Sequence, residues 1–131
     1  MRKDWLGVSV IALSLLSLPF ILPHVVGDYV EGIRGGRSPA VPASVLGAYL
    51  ALQSLGLVLV AVGRRGGFFL TFWIGLIWVG GALGYHAYAV LHGGFREEAR
   101  ATVWLVGLVV IQAVTSALAA WGAWGRRGRA G

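Results

Sequence analysis

Residues 68–91 read FFLTFWIGLIWVGGALGYHAYAVL, an unbroken run that contains no Asp, Glu, Lys or Arg. A helix needs about 20 apolar residues to cross the hydrocarbon core of a bilayer, so this run alone is long enough to span a membrane. Comparable runs occur before and after it, and the connectors between them carry glycine or charge, as turns do. The sequence therefore predicts four transmembrane helices, at about residues 5–33, 42–63, 68–92 and 101–124.

The composition excludes a water-soluble globular domain. Only 12% of the 131 residues are charged, whereas a soluble domain carries about a quarter. Four spans with short connectors predict an all-α integral membrane four-helix bundle that runs up-down-up-down, with residues 1–131 as a single transmembrane domain.

The chain has no cysteine, which excludes disulfides, thiolate metal sites and cysteine nucleophiles.

The first predicted helix contains two prolines. Pro19 and Pro23 each lack a backbone N–H, so the helix is expected to bend near residues 19–23.

The basic residues predict the orientation of the chain. If four helices alternate in direction, seven basic residues fall on one side and four on the other, so both termini are predicted to be cytoplasmic in a multi-pass protein of the cell membrane. The first group is Arg2, Lys3, Arg64, Arg65, Arg126, Arg127 and Arg129, and the second is Arg34, Arg37, Arg96 and Arg100. The bias towards Arg, Gly, Ala and Val is typical of a GC-rich prokaryotic genome.

The net charge of +6 comes from connectors and tails between apolar runs. We interpret it as control of topology and contact with lipid headgroups, with no role for nucleic acid. The lipid bilayer is the expected partner, and a homo-oligomer or a larger membrane complex is left open.

A first group of candidate site residues lies near the end of the first predicted helix. His24, Asp28 and Glu31 are spaced i, i+4, i+7 and share one helix face. This spacing fits half of a metal site or a proton relay, but it also fits a helix end whose polar face meets water and headgroups. His86 on the third predicted helix shares a face with the small residues Gly75, Ala82 and Ala89, and this spacing predicts a contact with another helix. His86 is therefore expected to be buried, and a buried intramembrane histidine is a functional candidate.

A second group is uncharged and lies nearer the middle of the membrane. Tyr49 and Gln53 align on the second predicted helix, and Gln112 aligns with Thr115 and Ser116 on the fourth. Such side chains commonly form hydrogen bonds between helices. Together with the first group they could also line a polar pocket that opens to the extracytoplasmic side.

We expect a non-enzymatic binding or accessory protein, and three alternatives stay open. A metal-dependent membrane enzyme would use His24, Asp28, Glu31 and His86, with His24, Asp28 and His86 as the candidate metal ligands. A small proton-coupled transporter would use Asp28, Glu31 and His86 as proton carriers. A haem-binding membrane subunit would use His24 and His86 as axial ligands. No nucleotide-binding glycine loop, nucleophile elbow or H-E-x-x-H motif is present, and the sequence requires no cofactor.

Overall fold

The computed structural model describes residues 4–34, 36, 38, 40–91 and 99–125, and within them it describes no side chains at 24, 28, 31–34, 40–42, 85–91 and 99–103. This part of the chain forms five helices, which are α1 (Trp5–Leu16), α2 (Leu18–Arg34), α3 (Ala40–Ala61), α4 (Arg65–Leu91) and α5 (Ala99–Trp124).

Four stretches of these helices are long and apolar enough to cross a membrane, and they are Trp5–Gly27, Ala43–Ala61, Arg65–Gly84 and Trp104–Trp124. The predicted all-helical class with four membrane-length helices is therefore confirmed over the described residues. Insertion into a membrane and the up-down-up-down arrangement stay predictions.

The first span consists of two consecutive helices that are divided at Ser17. The backbone stays helical there, because Ser17 has φ −71° and ψ −24° and Ile21 N donates to Ser17 O at 3.0 Å. Pro19 follows two residues later and has no N–H to donate to the carbonyl one turn before it. The structure divides the two helices at Ser17 and keeps Pro23 inside α2, and a bend near residues 19–23 stays a prediction.

A tight turn joins α3 to α4. Gly63 adopts a positive φ of 73°, a conformation that glycine reaches without steric cost, and Arg64 N donates to Leu59 O at 2.8 Å. Just beyond the turn, a Cβ on Gly67 would overlap Val60 N and lie 2.7 Å from Gly56 O. The start of α4 is therefore pressed against the backbone of α3.

When α1 and α2 are taken together as one span, each of the four spans has two neighbours. α4 packs against α3 and α5, and the α1–α2 pair packs against the same two helices. Over the residues that the structure describes, α1 and α2 do not contact α4, so they lie diagonally across from it.

Glycines allow the closest approaches between helices. A Cβ on Gly75 of α4 would overlap Ser116 Oγ of α5. Ala82, which follows two turns later on the same face of α4, is also buried. Phe20 covers Gly107 and Phe68 covers Gly122 in the same way. Small residues let helix backbones come close enough for van der Waals packing, which drives association in lipid.

The best-packed region is an apolar layer near the α3–α4 turn. We define the apolar layer as the buried cluster Leu6, Val10, Val60, Phe68, Ala119 and Ala123. Beside this layer, at the start of α1 and near the end of α5, Trp5 and Trp121 pack edge to face with their ring centroids 6.0 Å apart.

Candidate functional site

Five polar side chains meet at the middle of the molecule. We define the polar layer as Ser14, Ser17, Tyr49, Gln53 and Gln112, all of them buried. Ser14 and Ser17 flank the centre of the span Trp5–Gly27, Gln53 is next to the centre of Ala43–Ala61, and Gln112 is close to that of Trp104–Trp124. The polar layer therefore lies at mid-span on three of the four membrane-length stretches.

The backbone carbonyl of Ser14 accepts two of the hydrogen bonds in this layer. It accepts a hydrogen bond from Ser17 Oγ at 2.6 Å and a second one from Gln53 Nε2 at 2.9 Å. Gln53 Nε2 also lies 3.1 Å from Ser14 Oγ. The division of α1 from α2 thus makes a backbone carbonyl available to a side chain of α3, and this contact ties the two elements together.

Gln112 ties α5 to the same point. Its Nε2 donates to Ser17 Oγ at 3.1 Å, so Ser17 accepts from α5 while it donates to Ser14. The Tyr49 hydroxyl lies close to the side chains of Ser17 and Gln112, but neither contact has the geometry of a hydrogen bond. The Tyr49 ring packs edge to face on Trp78 with centroids 5.0 Å apart. The five side chains therefore form one connected cluster.

Two polar atoms of this cluster have no hydrogen-bond partner. They are Tyr49 Oη, whose side chain is 8% exposed, and Gln53 Oε1, whose side chain is 4% exposed. Neighbouring Thr71 adds a third such atom, Oγ1, which faces Gly56 of α3. Buried polar atoms in proteins almost always have a partner, so each exception asks for an explanation.

Other hydroxyl groups near the layer are satisfied by backbone. Thr115 Oγ1 donates to Ile111 O of its own helix at 2.7 Å, and Ser116 Oγ makes a long contact of 3.4 Å to Phe72 O of α4. Of the two, Ser116 contributes to the contact between α4 and α5.

The structure brings together three of the seven candidate residues from the sequence, namely Tyr49, Gln53 and Gln112. His24, Asp28 and Glu31 belong to α2 and His86 belongs to α4, but their side chains lie outside the described residues. No three His, Cys, Asp or Glu side chains meet within the described part of the chain. The metal, proton-relay and haem hypotheses therefore stay predictions.

Ser14, Ser17 and Thr71 are members or neighbours of the cluster that the sequence reasoning missed. A signal was present for the two serines, because they are spaced i, i+3 in an otherwise apolar run and precede Pro19. Proline removes a hydrogen bond of the helix one turn earlier, and hydroxyl groups commonly compensate there. Thr71 gave no such signal.

Only one group of the polar layer, the Tyr49 phenol, is ionisable. The arrangement therefore offers neutral hydrogen-bond donors and acceptors. No protein-family model, no curated protein and no solved structure matches the chain.

Proposed function

We propose that the chain is a four-span integral membrane protein that binds a small polar molecule at its mid-span polar layer. The observation that carries this proposal is the pair of buried atoms without partners, Tyr49 Oη and Gln53 Oε1. A binding role is favoured because the two atoms belong to the same cluster and can contribute hydrogen bonds to a third group.

The energetics favour this reading over a purely structural role. A buried polar atom without a partner costs about 1–3 kcal/mol, while a hydrogen bond between membrane helices contributes about 0.6 kcal/mol on average. Phenylalanine at position 49 would fill the same space without this cost. A layer that retains the hydroxyl is better explained by a ligand that pairs with it.

The proposed topology is the up-down-up-down bundle with both termini cytoplasmic. Two contacts between α1 and α3 support opposite directions for these helices. Early in α1, Gly7 faces Val60 near the end of α3, while late in α1, Ser14 meets Gln53. The asymmetry of basic residues supports the orientation, with the polar interior opening to the extracytoplasmic side.

The proposal is tested by ligand-dependent stability. Wild-type protein in lipid nanodiscs is titrated with acetamide, glycerol, sodium chloride and sodium acetate through the millimolar range, and the unfolding midpoint is measured. A ligand that binds only the folded state raises this midpoint in a saturable way. We expect at least one probe to do so, and we expect Tyr49→Phe to weaken that effect.

Tyr29→Phe is the matched control, because it removes the same hydroxyl from α2, outside the polar layer. Its response to the probes should equal that of the wild type. If no probe produces a stabilisation that depends on Tyr49, the binding function is wrong and the polar layer is a packing feature.

A further inference from the structure

The two unpartnered atoms of the polar layer differ in hydrogen-bonding character. Gln53 Oε1 can only accept a hydrogen bond, and its amide nitrogen is already engaged with Ser14. Tyr49 Oη can donate one as well as accept one. A molecule that pairs with both atoms must donate to Gln53, and it must accept from Tyr49 if the phenol proton is to be used.

The charge of the layer restricts the ligand further. None of its five residues is Asp, Glu, Lys, Arg or His, and each is buried at mid-span. An ion in such surroundings would lose its hydration without gaining an opposite charge, which is unfavourable in the membrane interior. Neutral groups that exchange hydrogen bonds with water for hydrogen bonds with the protein avoid this cost.

The hydrogen bonds already present leave few other places for a ligand. The Ser14 carbonyl has two donors, and Ser17 Oγ both donates and accepts. Tyr49 and Gln53, one turn apart on α3, therefore carry the free capacity of the layer. Trp78 packs on the Tyr49 ring and so restrains the orientation of the tyrosine side chain.

We propose that the ligand is a small neutral molecule that carries both a hydrogen-bond donor and an acceptor, as a primary amide does, and that it donates to Gln53 Oε1 and accepts from the Tyr49 hydroxyl. This inference rests on the proposed binding function and narrows it to one chemical class. Cations and anions are excluded as the preferred ligand.

The test compares two molecules that differ in the donor alone. Acetamide has N–H groups and a carbonyl, whereas N,N-dimethylacetamide keeps the carbonyl and has no donor. In nanodiscs, acetamide is expected to raise the unfolding midpoint of the wild type in a saturable way, and N,N-dimethylacetamide is not. Tyr49→Phe should weaken the apparent affinity for acetamide by roughly two- to tenfold, the effect of one neutral hydrogen bond.

Gln53→Met should abolish the effect of acetamide, because it removes the carbonyl oxygen to which the ligand is proposed to donate. If this variant does not fold, the comparison of the two amides and the Tyr49→Phe variant decides the question. Equal stabilisation by both amides would overturn the donor assignment. Stronger stabilisation by sodium chloride or sodium acetate that depends on Tyr49 would overturn the neutral class but leave the binding function intact. The absence of any effect that depends on Tyr49 would remove both proposals.

Discussion

The apolar layer and the polar layer lie a few helical turns apart and are packed by different rules. In the apolar layer, Phe68 is 1% exposed and rests directly on Gly122, so close packing contributes to holding the helices together. In the polar layer, Gln53 and Gln112 reach across to the α1–α2 junction, and atoms on Tyr49 and Gln53 are left without partners.

The difference separates groups that stabilise the chain by packing from groups whose retention the proposed binding role would explain. Dispersion contacts at the apolar layer improve with every gap that is filled. Hydrogen bonds at the polar layer are directional, and a layer evolved only for stability would pair all of its groups. The apolar layer should therefore be sensitive to changes in volume, whereas the polar layer should tolerate the loss of an unpaired group.

The largest effect is expected from Phe68→Ala in the apolar layer. Removal of a buried aromatic side chain leaves a cavity and costs about 3–5 kcal/mol. The free energy of unfolding in mixed micelles measures this loss. Adjacent Phe69, 48% exposed, is the matched control, and Phe69→Ala should cost about 1 kcal/mol through its ring contacts with Trp73 and Trp124. Equal losses from the two variants would contradict the assignment of Phe68 to the core.

The second effect concerns the close approach of α3 and α4. Gly67→Ala should destabilise the protein by about 1–3 kcal/mol, because the added methyl group collides with backbone that cannot move aside easily. Gly66→Ala, one residue earlier, introduces its methyl group where nothing lies within 4 Å, and it should leave stability unchanged or slightly higher. A thermal melt of both variants checks the difference, and a tolerant Gly67→Ala would show that the two helices are further apart than described.

The third effect has the opposite sign. Tyr49→Phe should raise the free energy of unfolding without added ligand by about 1 kcal/mol, because it removes a buried hydroxyl that has no partner. Tyr29→Phe provides the reference for a hydroxyl outside the polar layer. A loss of stability in Tyr49→Phe would mean that the hydroxyl is already paired within the protein.

The smallest effect is expected from Ser116→Ala. The contact from Ser116 Oγ to Phe72 O is long, at 3.4 Å, so its removal should cost no more than the average of about 0.6 kcal/mol for a hydrogen bond between membrane helices. Exposed Ser54→Ala on α3 serves as the control. A markedly larger loss in the free energy of unfolding would show that the Ser116 hydroxyl forms a stronger hydrogen bond than the 3.4 Å contact indicates.

The sequence was sufficient for the gross architecture. Run lengths alone indicate four membrane-length helices, because a bilayer imposes a minimum length that residues 68–91 meet without a charge. The spacing of Gly75 and Ala82 also indicated a helix contact, since small residues on one face have few other roles in a span. Length and periodicity are local properties, so they can be read without knowledge of neighbours.

The candidate site was harder to predict. Tyr49, Gln53 and Gln112 stood out as polar residues in apolar runs, but periodicity within one helix cannot say which face meets which neighbour. Gln53 finds the Ser14 carbonyl, 39 residues earlier in the chain, only because α1 ends where it does. The spacing of Ser14 and Ser17 before Pro19 marks this stretch of the chain, but it does not indicate that the Ser14 carbonyl accepts from Gln53.

The tight turn at Gly63 has a consequence for biosynthesis. It makes α3 and α4 neighbours in sequence as well as in space, so this helical hairpin can form as soon as both of its helices have left the ribosome. Gln112 and Ser17, by contrast, are 95 residues apart, and their contact must wait for α5. The polar layer is thus completed only when α5 docks, and until then the nascent protein carries the polar groups of α1 and α3 without the contact from Gln112.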